Sequence, residues 1–286
     1  MPERQPRLIR ENNPRFPSFV LGGSHIRNIP TDGTDFNDQV LVALPWSYND
    51  EPKRNYPVVY LCDGFWDFPL VWGMYSHLLY DKVVPEYILV GLAYGGERPD
   101  VESLRRADLS PPSRGADGKL RTGVNSADYL TRIKKTIIPF IELEYGVDPT
   151  FRVLAGCSIG GVFAIGAIFR EPRLFNAIIA LSPTVGTNDG WLSRLEEEFC
   201  TENAGVMAHL FRRKCELSAR LFMAAGGADA PTILEAIRRF DQQLDRHMYR
   251  FFEKEFHLCD GEKHAALKPE GFNRGLRFAF KAYMET

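Results

Sequence analysis

The sequence predicts an α/β fold: one mostly parallel central sheet flanked by helices, with an antiparallel N-terminal edge. Three observations predict it. Short apolar runs rich in β-branched residues alternate with longer stretches of helical spacing. Most of these runs are hydrophobic throughout rather than at every second residue, as strands buried on both faces are. No repeat or low-complexity linker divides the 286 residues, so the 44% of hydrophobic residues can serve the core of one domain, 1–286.

In chain order, the first strand is QVLVALP, Gln39 to Pro45. With the SFVLGGSHIRNI stretch before it, it precedes any helix and is expected to pair antiparallel at the sheet edge. Further strands are expected over Pro57 to Cys62, Tyr87 to Ala93, Phe151 to Gly156, Ala177 to Ser182, Ala219 to Ala225 and Tyr249 to Cys259. Helices are expected over Trp66 to Tyr80, Ser126 to Tyr145, Gly161 to Phe169, Pro231 to Met248 and Pro269 to Met284. Pro139 should kink the second, and Gly146 should end it. Pro231 and Pro269 suit first turns, where a missing N–H costs nothing. Two segments break the rhythm. Tyr94 to Asn125 is a long Gly/Pro-rich loop of the kind that carries function, and about 183–218 reads as a lid or insertion.

A net charge of -2 with scattered Lys and Arg excludes the basic footprint of a nucleic-acid partner. The polar, Pro-broken N-terminus lacks the apolar core of a secretory signal, and no run approaches a membrane span, so a cytoplasmic protein without membrane contact is expected. The five cysteines are odd in number and widely spaced, with no C-x-x-C pair to suggest zinc or redox work. A homodimer is compatible with all of this.

Chemistry concentrates in RVLAGCSIGGVFAIGAIF, Arg152 to Phe169, where Cys157 and Ser158 stand side by side. Gly156-Cys157-Ser158-Ile159-Gly160 fits G-x-S-x-G between a strand and a helix, which is the text of a nucleophile elbow in an α/β-hydrolase fold. Residues two before and two after the nucleophile must be small, because backbone segments nearly touch there. Glycine occupies both offsets around Ser158. Around Cys157 they hold Ala155 and β-branched Ile159, so Ser158 is the expected nucleophile and Cys157 packs.

A serine needs a general base, and in this topology the chain order is Ser, acid, His. His264 follows the last strand in CDGEKHAAL, where the Asp260-Gly261 turn swings it over the sheet's C-terminal edge. The acid is expected at Asp229, just past the strand ARLFMAA; an N-cap for the helix at Pro231 is the plainer alternative for the same residue, and Asp260 and Asp189 are reserves. The oxyanion donors are expected to be the backbone N–H of Ile159 and that of Phe65, with Trp66 next, in VVYLCDGFWDF. Phe65, Trp66, Trp72, Tyr75 and Trp191 are candidate cleft aromatics, although such residues are more often core.

With these residues in place the chain resembles the esterase family of α/β hydrolases that includes the enterochelin (ferric enterobactin) esterases and is related to S-formylglutathione hydrolases, feruloyl esterases and mycolyltransferases. The resemblance runs from about Ser24 onward through VLVALPWSY, PVVYLCDG, IIPFIELEYGVDPTFRVLAGCSIGGVFAI, LFNAIIALSPTVG and the DGEKH turn. It implies that Ser158 and His264 are catalytic. Arg105-Arg106-Ala107-Asp108-Leu109-Ser110-Pro111 matches the family's R-x-x-D-[LF]-[ST]-P, which implies Arg105 as a substrate contact; an internal Arg105–Asp108 pair is the alternative. Cys157 departs from the His common there. The expected activity is hydrolysis of a small-molecule carboxylic ester, of siderophore or aryl type, through an acyl-enzyme on Ser158 and without metal or organic cofactor. Acyl transfer to an alcohol and non-catalytic ligand binding remain the alternatives.

Overall fold

The computed structural model describes residues 20–29, 38–96, 99–112, 126–186, 190–203, 215–247 and 249–285. Their strands are β1 (Ser24–Ile29), β2 (Asp38–Ala43), β3 (Tyr56–Leu61), β4 (Ile88–Tyr94), β5 (Val147–Cys157), β6 (Ala177–Leu181), β7 (Glu216–Gly226) and β8 (Arg250–Cys259). Among the described residues these form one sheet in the order β1-β2-β4-β3-β5-β6-β7-β8. β2 pairs antiparallel with both β1 and β4, and the remaining pairs are parallel. The expected antiparallel start is present, with β1 rather than β2 as the outermost strand. β3 and β6 are buried along their whole length, as their continuous hydrophobicity requires. β8 alternates instead, since it closes the far edge and is covered on one side only.

The helices are α1 (Gly64–Tyr80), α2 (Val101–Leu109), α3 (Ser126–Arg132), α4 (Ile138–Glu144), α5 (Ile159–Arg170), α6 (Trp191–Asn203), α7 (Pro231–Arg246) and α8 (Lys268–Met284). Two cores result, one on each face. Phe68, Trp72 and Tyr75 of α1 pack with Phe272 and Phe280 of α8 on one face, and α3, α4, α5, α6 and α7 cover the other. Trp72 and Tyr75 stack at 4.3 Å between ring centroids inside the first of these cores, so they belong to packing and not to a cleft. The sheet order reverses at β3, which pairs with β4 on one side and β5 on the other, and ligands bind such sheets outside the strand carboxyl ends near that reversal.

Two elements differ from the sequence reading. α2 lies inside the stretch expected as loop, and Asp100 caps it by accepting from the Ser103 N–H at 3.1 Å and the Ser103 hydroxyl at 2.8 Å. The other is the segment around Pro139. A π-helical stretch, Ile133–Ile137, precedes the proline, and the Ile138 N–H donates to the Ile133 carbonyl five residues back. Pro139 has no N–H for the carbonyl of Lys135 and its ring crowds that group, so the wider turn relieves the conflict one step early and leaves Pro139 in the first turn of α4.

At the end of α3, Arg132 lies between two buried carboxylates, 2.9 Å from Asp38 of β2 and 2.8 Å from Asp108 of α2. Burial pushes the Asp108 carboxyl up and the Arg132 charge opposes it. Removing one partner of a buried ion pair strands the other charge. Arg132→Met should therefore lower stability by about 3–5 kcal/mol, read as a fall in the urea midpoint at unchanged m-value.

Candidate active site

β5 ends at Cys157 and α5 starts at Ile159, leaving Ser158 alone in the turn with φ 59° and ψ -121°. A residue with a side chain rarely holds a positive φ, so its surroundings must impose it. The Ser158 N–H donates to the Leu181 carbonyl of β6 at 2.9 Å, and its own carbonyl accepts from Val162 at 3.1 Å. A methyl on Gly156 would lie 2.6 Å from the carbonyl of Gly160, and one on Gly160 would meet Cys62 Cβ and Asp63 Oδ2 at 3.2 Å. The two glycines that bracket Ser158 thus approach each other directly. Ser158 is half-buried, whereas Cys157 is 3% exposed and burial pushes its thiol up to about 12. The Cys157 thiol donates a long contact of 3.8 Å to the His264 carbonyl.

Parallel register gathers the other groups at the same end of the sheet. Cys157 pairs with Leu181, Leu181 with Ala224, and Gly226 with Cys259. The residues that follow these strands therefore share one edge: Ser158 and Ser182 directly, Asp229 and His264 on the loops after β7 and β8. The β7 and β8 loops are stitched together, since Gly227 N–H donates to Cys259 at 2.7 Å and Ala228 N–H to Glu262 at 2.8 Å. A side chain at Gly226 would collide with the Glu262 carbonyl at 2.4 Å, which explains the glycine.

Asp229 does not cap α7. That helix starts from Ala230 with no side-chain cap bond, and the Asp229 carboxylate turns inward instead. Its Oδ2 accepts from the Ser182 hydroxyl at 2.5 Å and the Gly226 N–H at 3.2 Å. Its Oδ1 lies 4.0 Å from His264 Nδ1, which is buried and has no other hydrogen-bond partner. Of the reserve acids, Asp260 is exposed on its turn, and Asp189 lies outside the described residues. Ser182 escaped the sequence reading; its signal was the Ser-Pro pair closing the sixth strand's run.

The loop after β3 turns at Asp63, which holds φ 56° and ψ 37° ahead of α1. The Asp63 carbonyl accepts from Trp66 N–H at 2.9 Å and Asp67 N–H at 3.1 Å. Trp66 N–H is thus engaged, and the first-turn donors without an acceptor inside the helix are those of Gly64 and Phe65. Ile159 N–H occupies the equivalent position on α5. Arg105 forks onto Asp63, Nε to Oδ1 at 2.6 Å and Nη2 to Oδ2 at 2.9 Å, and its guanidinium lies 5.3 Å from the Trp66 ring centroid. The internal Arg105–Asp108 pair does not form, because Asp108 is held by Arg132. Lys268 pairs with Asp67 at 2.7 Å, tying the segment after His264 to the first turn of α1. Phe65 and Trp66 are exposed at this rim, at 64% and 50%. Trp191 sits elsewhere: it covers Gly166 in the middle of α5 and lies 4.9 Å from the Arg170 guanidinium.

Residues 34–265 match the profile of the family described as "Putative esterase". Ferri-bacillibactin esterase BesA of Bacillus subtilis is 23% identical over 288 residues, covering 94% of each chain. A siderophore enterobactin esterase of Emericella nidulans is 34% identical over 100 residues, or 31% of this chain and 33% of that one. Among solved structures, the BES protein of Bacillus cereus superposes with a TM-score of 0.76 at 20% identity, covering 92% of this chain and 96% of that one. Siderophore hydrolase EstB of Aspergillus nidulans gives 0.70 at 21% identity, covering 92% and 97%. No helix among the described residues is long and apolar enough to cross a membrane. The chain has the α/β-hydrolase fold, is a carboxylic ester hydrolase, and belongs to the "Putative esterase" family.

Proposed function

We propose that the chain is a serine esterase that hydrolyses a siderophore-type ester through an acyl-enzyme on Ser158. The observation that carries this reading is the buried, otherwise unpartnered His264 Nδ1 facing Asp229 Oδ1 at the strand ends where the Ser158 elbow lies. Asp229 Oδ2 is already held by Ser182 and Gly226, which leaves Oδ1 for the imidazole. At 4.0 Å this is not yet a hydrogen bond, but such contacts tighten when the imidazole takes a proton and the pair becomes charge-assisted.

In the reaction, His264 Nε2 removes the Ser158 proton as Oγ attacks the ester carbonyl, and Asp229 stabilises the imidazolium. The Phe65 and Ile159 N–H groups receive the oxyanion. His264 then protonates the departing alcohol, activates a water in the second half-reaction, and regenerates free Ser158. Arg105 contributes by fixing Asp63 and by holding Trp66 at the rim, where a bulky acyl group would rest against Phe65 and Trp66. The siderophore assignment draws on the relatives that carry siderophore esterase names.

Ser158→Ala should lower kcat on p-nitrophenyl butyrate by at least about 10⁴-fold and abolish fluorophosphonate labelling, and full activity in that variant would sink the serine mechanism. Asp229→Asn should lower kcat by about 10³–10⁴-fold with little change in KM, measured in the same assay. Cys157→Ala should stay within about threefold of the parent, because a buried thiol with a raised pKa supplies no thiolate. For substrate class, ferri-bacillibactin, triacetylfusarinine C, a feruloyl ester and p-nitrophenyl butyrate are compared by mass spectrometry of the products. Turnover of the siderophores at the highest kcat/KM is expected, and turnover of the feruloyl ester alone would move the substrate to the aryl class.

A further inference from the structure

Away from the strand ends, α6, α7 and the starts of β7 and β8 converge on one buried carboxylate. Glu196 is fully buried, and the groups set on it carry no fixed positive charge. Gln243 Nε2 donates to its Oε2 at 2.6 Å, with a second bond to the Ser193 carbonyl at 2.9 Å that fixes the amide. The other oxygen, Oε1, accepts from the Tyr249 hydroxyl and faces Cys200 Sγ at 3.6 Å and His247 Nε2 at 3.7 Å. Cys200 and Glu196 stand four residues apart on α6 and so share a face. The Cys215 thiol, just ahead of β7, is buried beside Cys200 but lies outside the group formed by Glu196, Cys200 and His247, whose ligand atoms are all within 4.8 Å of one another. Both thiols are buried.

We propose that Glu196, Cys200 and His247, whose ligand atoms all lie within 4.8 Å of one another, form a structural zinc site that Cys215 completes by moving in from beside Cys200. The donor set is the argument's first leg, since two thiolates, an imidazole and a carboxylate are ligands that zinc accepts, four at a time, in a tetrahedron. Spacing is the second. Ligands at about 2.0–2.3 Å from a tetrahedral zinc lie about 3.3–3.8 Å from one another. The Cys200–Glu196 and His247–Glu196 separations of 3.6 and 3.7 Å are edges of that size, formed without any ion. The third leg is the support around the ligands: Gln243 and Tyr249 orient the carboxylate in the way that outer-shell groups orient metal ligands. On binding, the two thiol protons pass to solvent and the metal supplies the cation that the buried Glu196 lacks. His247, with its side chain 34% exposed, gives the ion a way in. The result is a pin that ties α6 to the sheet, independent of the ester chemistry.

The full chain, stripped with a chelator under a thiol-free reductant and dialysed, is titrated with Zn²⁺ against a chromophoric competitor and separately with Co²⁺. A single equivalent of zinc per chain is expected, together with an intense thiolate-to-cobalt charge-transfer band and the visible absorption of tetrahedral cobalt. Cys200→Ser and His247→Ala should each weaken zinc by at least about 100-fold. Cys259→Ser should leave binding unchanged; it removes the thiol of the His257–Cys259–Glu270 cluster on β8 and α8, where a competing ion would sit. Circular dichroism checks the variants, and if Cys200→Ser fails to fold, the parent's cobalt spectrum and Cys215→Ser decide. Absence of stoichiometric zinc, a cobalt spectrum without the thiolate band, or binding that survives Cys200→Ser and vanishes in Cys259→Ser overturns the proposal.

Discussion

The candidate site depends on the contact between Gly156 and Gly160. Only because neither carries a side chain can the end of β5 and the start of α5 come within 2.6 Å of where a methyl would sit, and only then can Ser158 be held at φ 59°. A residue in that region costs of order 1–3 kcal/mol, so the surroundings must over-determine it. They do so from three sides. The Ser158 N–H is spent on Leu181 of β6, its carbonyl on α5, and residues 160–169 of that helix are all buried. Packing along the length of α5 therefore maintains a strained residue at its tip.

Parallel pairing extends this control to the other groups. Because β5, β6, β7 and β8 end in step, the elbow, Ser182, Asp229 and His264 reach the same edge without any of them being near in sequence. Two buried ion pairs then couple the loops. Arg105 fixes Asp63 at the entrance to α1, and Lys268, four residues after His264, anchors to Asp67 in the first turn of the same helix. Burial pushes the Asp67 carboxyl up, with Lys268 pulling it back, so little net stability is expected from that pair. Its effect is to hold the segment that carries His264 and the first turn of α1 in one register, which the proposed mechanism needs because misplacement by about 1 Å costs rate.

Much of this was legible in the sequence where the signal is local. The small-residue offsets around Ser158, the Asp260-Gly261 turn before His264 and the run of apolar strands are all short patterns whose physical cause lies within a few residues. What was not legible depends on partners far along the chain. Arg105 and Asp108, three apart in a helix, make a reasonable local pair, yet each is taken by a distant charge, Asp63 and Arg132 respectively. Asp229 is likewise a reasonable local cap, and Ser182, 47 residues away, takes its carboxylate instead. The cysteines beside Glu196 show no metal spacing for the same reason, since three separate segments contribute the donors.

The neighbouring pair Cys157 and Ser158 shows how local geometry separates two nucleophiles of similar size. Side chains alternate along a strand, and Val153, Ala155 and Cys157 all face the core beneath α1 and α8 while Leu154 faces the other. Cys157 is the last residue to obey that alternation. Its thiol is consequently buried, its pKa raised by desolvation, and its thiolate suppressed, although a free thiol is intrinsically the better nucleophile. One residue later the strand has ended, the backbone turns through a positive φ, and the Ser158 hydroxyl leaves the core. The same change from strand to turn thus disarms the stronger nucleophile and exposes the weaker one, the one that the proposed mechanism has His264 activate.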